Sequence, residues 1–145
     1  MENNVSQEQM GGLPYIIAVD FDGTLVEDAF PEIGALKKDV WRDMERAQAA
    51  GAKIILWTSR DHERLKEAVE YCTNKGFHFD AINENIAEVK ILFDNDTRKV
   101  YANEYWDDKA VRCYCIPEDS PFLKSQIDNY FGECMNVPYD EKETI

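Results

Sequence analysis

The sequence predicts an α/β fold, a three-layer sandwich built on a mainly parallel central sheet. Three observations lead there. Short apolar runs rich in Ile, Val and Leu alternate along the chain with segments of helical periodicity. The runs are bounded by glycines and read as short buried strands, and the helical segments between them supply the crossovers that parallel strands need. Polar residues then recur just after the runs, at the strand ends where such sheets bind ligands.

Taken in order, the polar stretch 1–12 (MENNVSQEQMGG) lacks the basic and apolar regions of a signal peptide and reads as a flexible tail. LPYIIAVD (13–20) is the first strand, set between Gly11-Gly12 and Gly23. Past a loop with Pro31, residues 33–51 place Leu36, Val40, Trp41, Met44 and Ala47 at helical spacing, with Gly51 as the stop. AKIILW (52–57) is a second strand. Residues 59–76 put Leu65, Ala68, Val69 and Cys72 on one helical face, with Ser59 or Asp61 as N-cap and Gly76 as the end. FDAI (79–82) is a third strand. Residues 83–99 read equally as a loop, a short helix or a hairpin, and 83–98 are the place for a small lid. VYANEYW (100–106) and VRCYCI (111–116) are expected strands. SPFLKSQIDNYFGEC (120–134) is a last helix with Phe122, Ile127, Tyr130 and Phe131 partly inward. The expected organisation is one α/β domain over 13–134 and an acidic tail over 135–145.

A net charge of −13 repels polyanions, so no nucleic-acid partner is expected. A small anionic substrate remains compatible, because a bound cation with a local base can reverse the potential inside a pocket. No apolar run approaches the ~18 residues of a membrane span, and a cytoplasmic location is expected. The four cysteines, Cys72, Cys113, Cys115 and Cys134, lack zinc-site spacing relative to one another and to His62 and His78. They read as reduced thiols packed as small apolar residues.

Three strand ends deliver polar residues to one sheet edge. Asp20 and Asp22 follow the first strand, Thr58 and Ser59 the second, and Asp107 and Asp108 the strand ending in Trp106. Two pairs of carboxylates brought together would repel one another. A hard divalent cation resolves the conflict, and an oxygen-only set favours Mg2+ over zinc.

DFDGTL (20–25), placed directly after an apolar strand, resembles the first motif of the haloacid dehalogenase-like superfamily, D-x-D-x-[TV]. Thr58, Lys99 and the pair at 107–108 follow in the order of that family's remaining motifs, and the resemblance covers roughly residues 13–116. It implies a Rossmannoid phosphatase of the small, capless kind. Asp20 would be the nucleophile and Asp22 the general acid and base. Thr58 would hydrogen-bond the phosphoryl group and Lys99 would balance its charge, with Lys90 as the competing lysine. Mg2+ would be held by Asp20, the Asp22 carbonyl and Asp107, with Asp108 binding through water or orienting its neighbour. Gly23 would let backbone N–H groups face the phosphate. Ser59 could stand in for Thr58. Arg60 is either a contact for a distal anion of the substrate or a surface arginine paired with Glu63 or Glu84. His62 reads as an exposed first-turn residue, Asp94 and Asp96 as turn formers, and Trp57 and Trp106 as core near the strand ends or as borders of the pocket.

Neither 24–53 nor 58–99 has room for the cap domain that such enzymes commonly insert. The expectation is therefore a Mg2+-dependent phosphomonoesterase working through an aspartyl-phosphate. Its substrate would be a small phosphorylated metabolite or a phosphoprotein, with no membrane partner and a homo-oligomer left open. A phosphotransferase, or a non-catalytic module binding metal or phospholigand on the same fold, are the alternatives.

Overall fold

The computed structural model describes residues 4–131, and the chain divides into two compact units, one up to Asp108 and one from Lys109 onward. The first unit holds a four-stranded sheet of β1 (Ile16–Val19), β2 (Lys53–Leu56), β3 (Ala81–Ile82) and β4 (Glu104–Trp106). Every pairing is parallel and the order is β3-β2-β1-β4. All four residues of β1 are buried, as expected of a central strand covered on both faces.

Side chains alternate across the sheet and feed two apolar layers. Ile17, Val19, Ile54 and Leu56 pack with Trp41 and Met44 of α2 (Lys38–Ala49) and with Ala68 and Cys72 of α3 (His62–Asn74). Ile16, Ala18 and Ile55 face the other way, onto Val89 of α4 (Ala87–Phe93) and onto Val100. The result is a three-layer, Rossmann-like α/β fold. Gly51, at φ +105°, follows the end of α2, a conformation that favours glycine.

The strands at 13–20, 52–57, 79–82 and 100–106 all exist but are shorter than expected. Two expectations are corrected, and one left open is decided. The polar N-terminal stretch contains a helical turn, α1 (Gln7–Gly11). There the Ser6 hydroxyl accepts from Gln9 N–H, and Gln9 in return accepts from Ser6 N–H. Segment 83–99, left open between loop, short helix and hairpin, takes the short helix, α4, which ends at Asp94 in the left-handed region. VRCYCI is not a strand: Cys113–Cys115 form a 3-10 turn that runs into α5 (Ile116–Asp119), where Pro117 suits a first helical turn. α6 (Pro121–Phe131) belongs with these in the second unit. The expected end of the last helix, with Cys134, and the acidic tail at 135–145 lie outside the described residues.

Between β1 and α2 the chain makes only a flap. Val26 bridges Asp22 on one side and Leu36 on the other, and Glu27 N–H donates to Ala35 O. No helix among the described residues is long and apolar enough to cross a membrane.

Candidate active site

Parallel register decides where the site forms. Val19 lies opposite Leu56 on one side and Trp106 on the other, so the residues after all three strands emerge at one edge. The strand order turns back between β1 and β4, which opens a crevice at their carboxyl ends. Asp20 continues the ladder by donating its N–H to Trp106 O at 2.9 Å.

The loop after β1 is tightly wound around buried Phe21, whose carbonyl accepts from the N–H groups of Thr24, Leu25 and Val26. Gly23 takes φ +83°, and a Cβ there would overlap the Asp108 carboxylate. Its N–H donates to Val26 O at 2.7 Å, so it closes the turn, where a phosphate-facing N–H was expected. Thr24 Oγ1 accepts from Asp108 N–H at 3.1 Å, which ties the first loop to the end of β4 across 84 positions of sequence.

Asp20, Asp107 and Asp108 each present a carboxylate oxygen, all within 4.8 Å of one another. Asp20 Oδ1 accepts from Phe21 N–H at 2.8 Å. Burial, chiefly, together with the charges of Asp107, Asp108 and Asp22, pushes its pKa up to about 6 despite that bond. Three carboxylate oxygens at this spacing could hold a metal ion, and oxygen donors suit a hard one. Gly23 leaves the room that Asp108 occupies in this cluster.

Asp22 stands apart from that cluster. Arg60 Nε and Nη2 donate to its two oxygens at 2.7 and 2.8 Å. Nη1 donates to Pro31 O at 3.2 Å and Nη2 also to Glu32 O at 2.8 Å, and the guanidinium carbon lies 5.1 Å from the ring centres of both Phe21 and Phe30. The hydrogen bonds it donates to Asp22 raise the Arg60 pKa above its ordinary value. The expected surface arginine paired with Glu63 or Glu84 is thus replaced by a buried one paired with Asp22. The expected contact with a distal anion is likewise displaced, because every guanidinium nitrogen donates inside the protein.

Thr58 follows β2, and its N–H donates to the side-chain oxygen of Asn83 at 2.9 Å, while its Oγ1 accepts from Arg60 N–H at 3.1 Å. Asn83, at φ +51°, supports the Thr58 loop from the end of β3. Nothing in the sequence patterns singled it out. Ser59 is exposed beside Thr58.

Neither of the two expected lysines is placed with Asp20. Lys90 is held by Glu84 at 2.7 Å. Lys99 lies over the Tyr105 ring, 5.4 Å from its centre. Tyr105 pairs in register with Ala18 and donates to Val100 O, which puts Lys99 on the α4 side of the sheet. Lys37, passed over at the sequence level, donates to Gly23 O at 2.9 Å on the α2 side. It borders a cleft of about 340 Å3 shared with Thr24, Trp106, Asp107 and Asp108. The remaining expectations settle simply. His62 is exposed, Asp96 accepts from Asn85, and Trp57 and Trp106 are partly buried against the two apolar layers.

The chain is similar to a solved structure of a conserved protein from Bacteroides thetaiotaomicron. The two are 30% identical over 85% of this chain and 98% of that one, with a TM-score of 0.58. No protein-family model and no curated protein matches the chain.

Proposed function

The chain belongs to the same family as the conserved Bacteroides thetaiotaomicron protein, and from its site we propose that it is a Mg2+-dependent phosphomonoesterase with Asp20 as nucleophile. The observation that carries the reading is the meeting of Asp20 with Asp107 and Asp108 in the β1–β4 crevice, at the head of DFDGTL.

Asp20 Oδ1 is fixed by Phe21 N–H, which leaves Oδ2 as the oxygen to attack phosphorus. The phosphorus–ester bond breaks as the bond to Asp20 forms, and the leaving oxygen takes a proton from Asp22. In the second step a water gives its proton back to Asp22 and attacks the phosphorus. Asp20 is released with inorganic phosphate. The Thr58 hydroxyl, whose oxygen already accepts from Arg60 N–H, keeps its own proton for a phosphoryl oxygen. When bound, Mg2+ supplies positive charge against the phosphoryl oxygens; Asp20, Asp107 and Asp108 are the residues that would hold it.

A second reading is a non-catalytic module binding metal or phospholigand. It draws on the pairing of both Asp22 oxygens with Arg60. Hydrolysis of p-nitrophenyl phosphate with and without Mg2+, by the wild type and by Asp20→Asn, separates the two. Phosphatase chemistry requires metal-dependent turnover that the substitution removes. Turnover surviving Asp20→Asn would end the covalent mechanism, and a folded wild type that turns over no phosphoester would leave the binding module.

A further inference from the structure

We propose that Arg60 is a positioning residue for Asp22, setting where its carboxylate stands relative to the leaving group and linking that placement to the flap at 28–34. The inference rests on the phosphatase reading and adds to it a residue with no contact of its own to substrate. Its ground is the geometry of a single buried guanidinium. The Arg60 side chain is 1% exposed and that of Asp22 is 18% exposed, so of the pair only the carboxylate meets the crevice.

A buried charge is tolerated when it is paired and its donors are used. Here the parallel bonds to Asp22 fix both the position and the plane of the carboxylate, as a guanidinium fork does and an ammonium does not. The other face of the fork is anchored to the flap through the carbonyls of Pro31 and Glu32. Phe21 from beneath and Phe30 from the flap hold the plane between them, and Phe30 is itself 58% exposed. Arg60 N–H also donates to Thr58 Oγ1, so one residue orders the acid, the phosphoryl-binding hydroxyl and the flap together. The carboxylate is therefore held on the flap side of the crevice, apart from the three acids that would take the metal. That separation suits a group that serves the leaving oxygen.

Proton donation matters most for esters whose alcohol leaves poorly and little for those releasing a stabilised phenolate. The test compares glycerol 2-phosphate with p-nitrophenyl phosphate in Arg60→Lys, Asp22→Asn and the double variant, with Mg2+ present. Arg60→Lys is expected to lower kcat on glycerol 2-phosphate at least tenfold more than on p-nitrophenyl phosphate, with KM for each within about threefold of wild type. Asp22→Asn should show the same bias, and adding Arg60→Lys to it should cause little further loss. Equal loss on both esters, independent effects that multiply, or a gain on glycerol 2-phosphate would overturn the proposal.

If Arg60→Lys does not fold, Phe30→Ala decides, since it loosens the guanidinium from the exposed side. A bias of at least threefold against glycerol 2-phosphate is expected, and its absence would count against the positioning role. A wild type hydrolysing neither ester removes the phosphatase reading and this inference with it. A wild type hydrolysing both, without the bias in the variants, removes this inference alone.

Discussion

Gly23 and Asp108 stand so close that a Cβ on Gly23 would overlap the Asp108 carboxylate. The glycine sits in the first loop and the aspartate at the end of β4, so one missing methyl group sets the separation between two parts of the site. The same residue is held at φ +83°, where a side chain is strained by about 1–2 kcal/mol.

Gly23→Ala should therefore do two things. It should lower stability in urea, and it should weaken Mg2+ binding at least tenfold by calorimetric titration, because Asp108 must move. Gly51→Ala is the control. Gly51 has a positive φ but open space around it, so that variant should lose stability while keeping its Mg2+ affinity.

The raised pKa of Asp20 predicts a pH-dependent penalty in the metal-free protein. The folded value is about 6 against an ordinary 3.8, so in this interval the folded state holds the proton more tightly than the unfolded one. Stability from this group falls as pH rises through that interval, and the loss is complete above about pH 6. Asp20→Asn removes the penalty. Its melting temperature in EDTA should exceed that of the wild type at pH 7.5, by roughly 1–2 kcal/mol of stability after allowance for solvent screening. The gap should close by pH 4, even as the variant loses turnover roughly a thousandfold or more. A gap that widens at low pH would show that the Asp20 pKa is not raised.

Asn83 holds the Thr58 loop through one hydrogen bond to a backbone N–H. Asn83→Ala should cost about 1–2 kcal/mol from the unsatisfied N–H and from the left-handed backbone, which alanine tolerates poorly. Asn83→Gly relieves the backbone but not the bond. Both variants should lower turnover of p-nitrophenyl phosphate to a similar degree, although glycine should be the more stable.

Burial pushes the Cys72 thiol up to about 12, which keeps it protonated at neutral pH. Iodoacetamide at pH 8, followed by peptide mapping, should modify exposed Cys113 and leave Cys72 untouched until the protein is unfolded. Early labelling of Cys72 would mean that the layer containing α3 opens readily.

The central sheet was legible because β1 and β2 are apolar at consecutive positions, and α2 and α3 because Trp41, Met44, Ala68 and Cys72 keep helical spacing. Two local signals were present and passed over. Ser6 and Gln9 have the spacing of a reciprocal helix cap, and Pro117 followed by Glu118 and Asp119 marks a helix start better than the alternation in VRCYCI marks a strand. The acidic edge could be read because parallel strands deliver their ends together. The burial of Arg60 could not, since its partner lies 38 positions away and local pattern gives no sign of which carboxylate it meets. Lys37 escaped notice for a related reason. It lies at the start of α2, and only the folding back of the Gly23 turn brings a carbonyl and the acidic cleft to its ammonium.

β4 is three residues long, pairs among the described residues with β1 alone, and is followed directly by Asp107 and Asp108. A short strand at the margin of a sheet is among the first parts of a protein to fray. Anything that bridges those two aspartates to Asp20 would fasten that margin to the centre of the molecule. Ligand occupancy should then be readable without any chemistry, as slowed hydrogen exchange at the backbone N–H groups of β4.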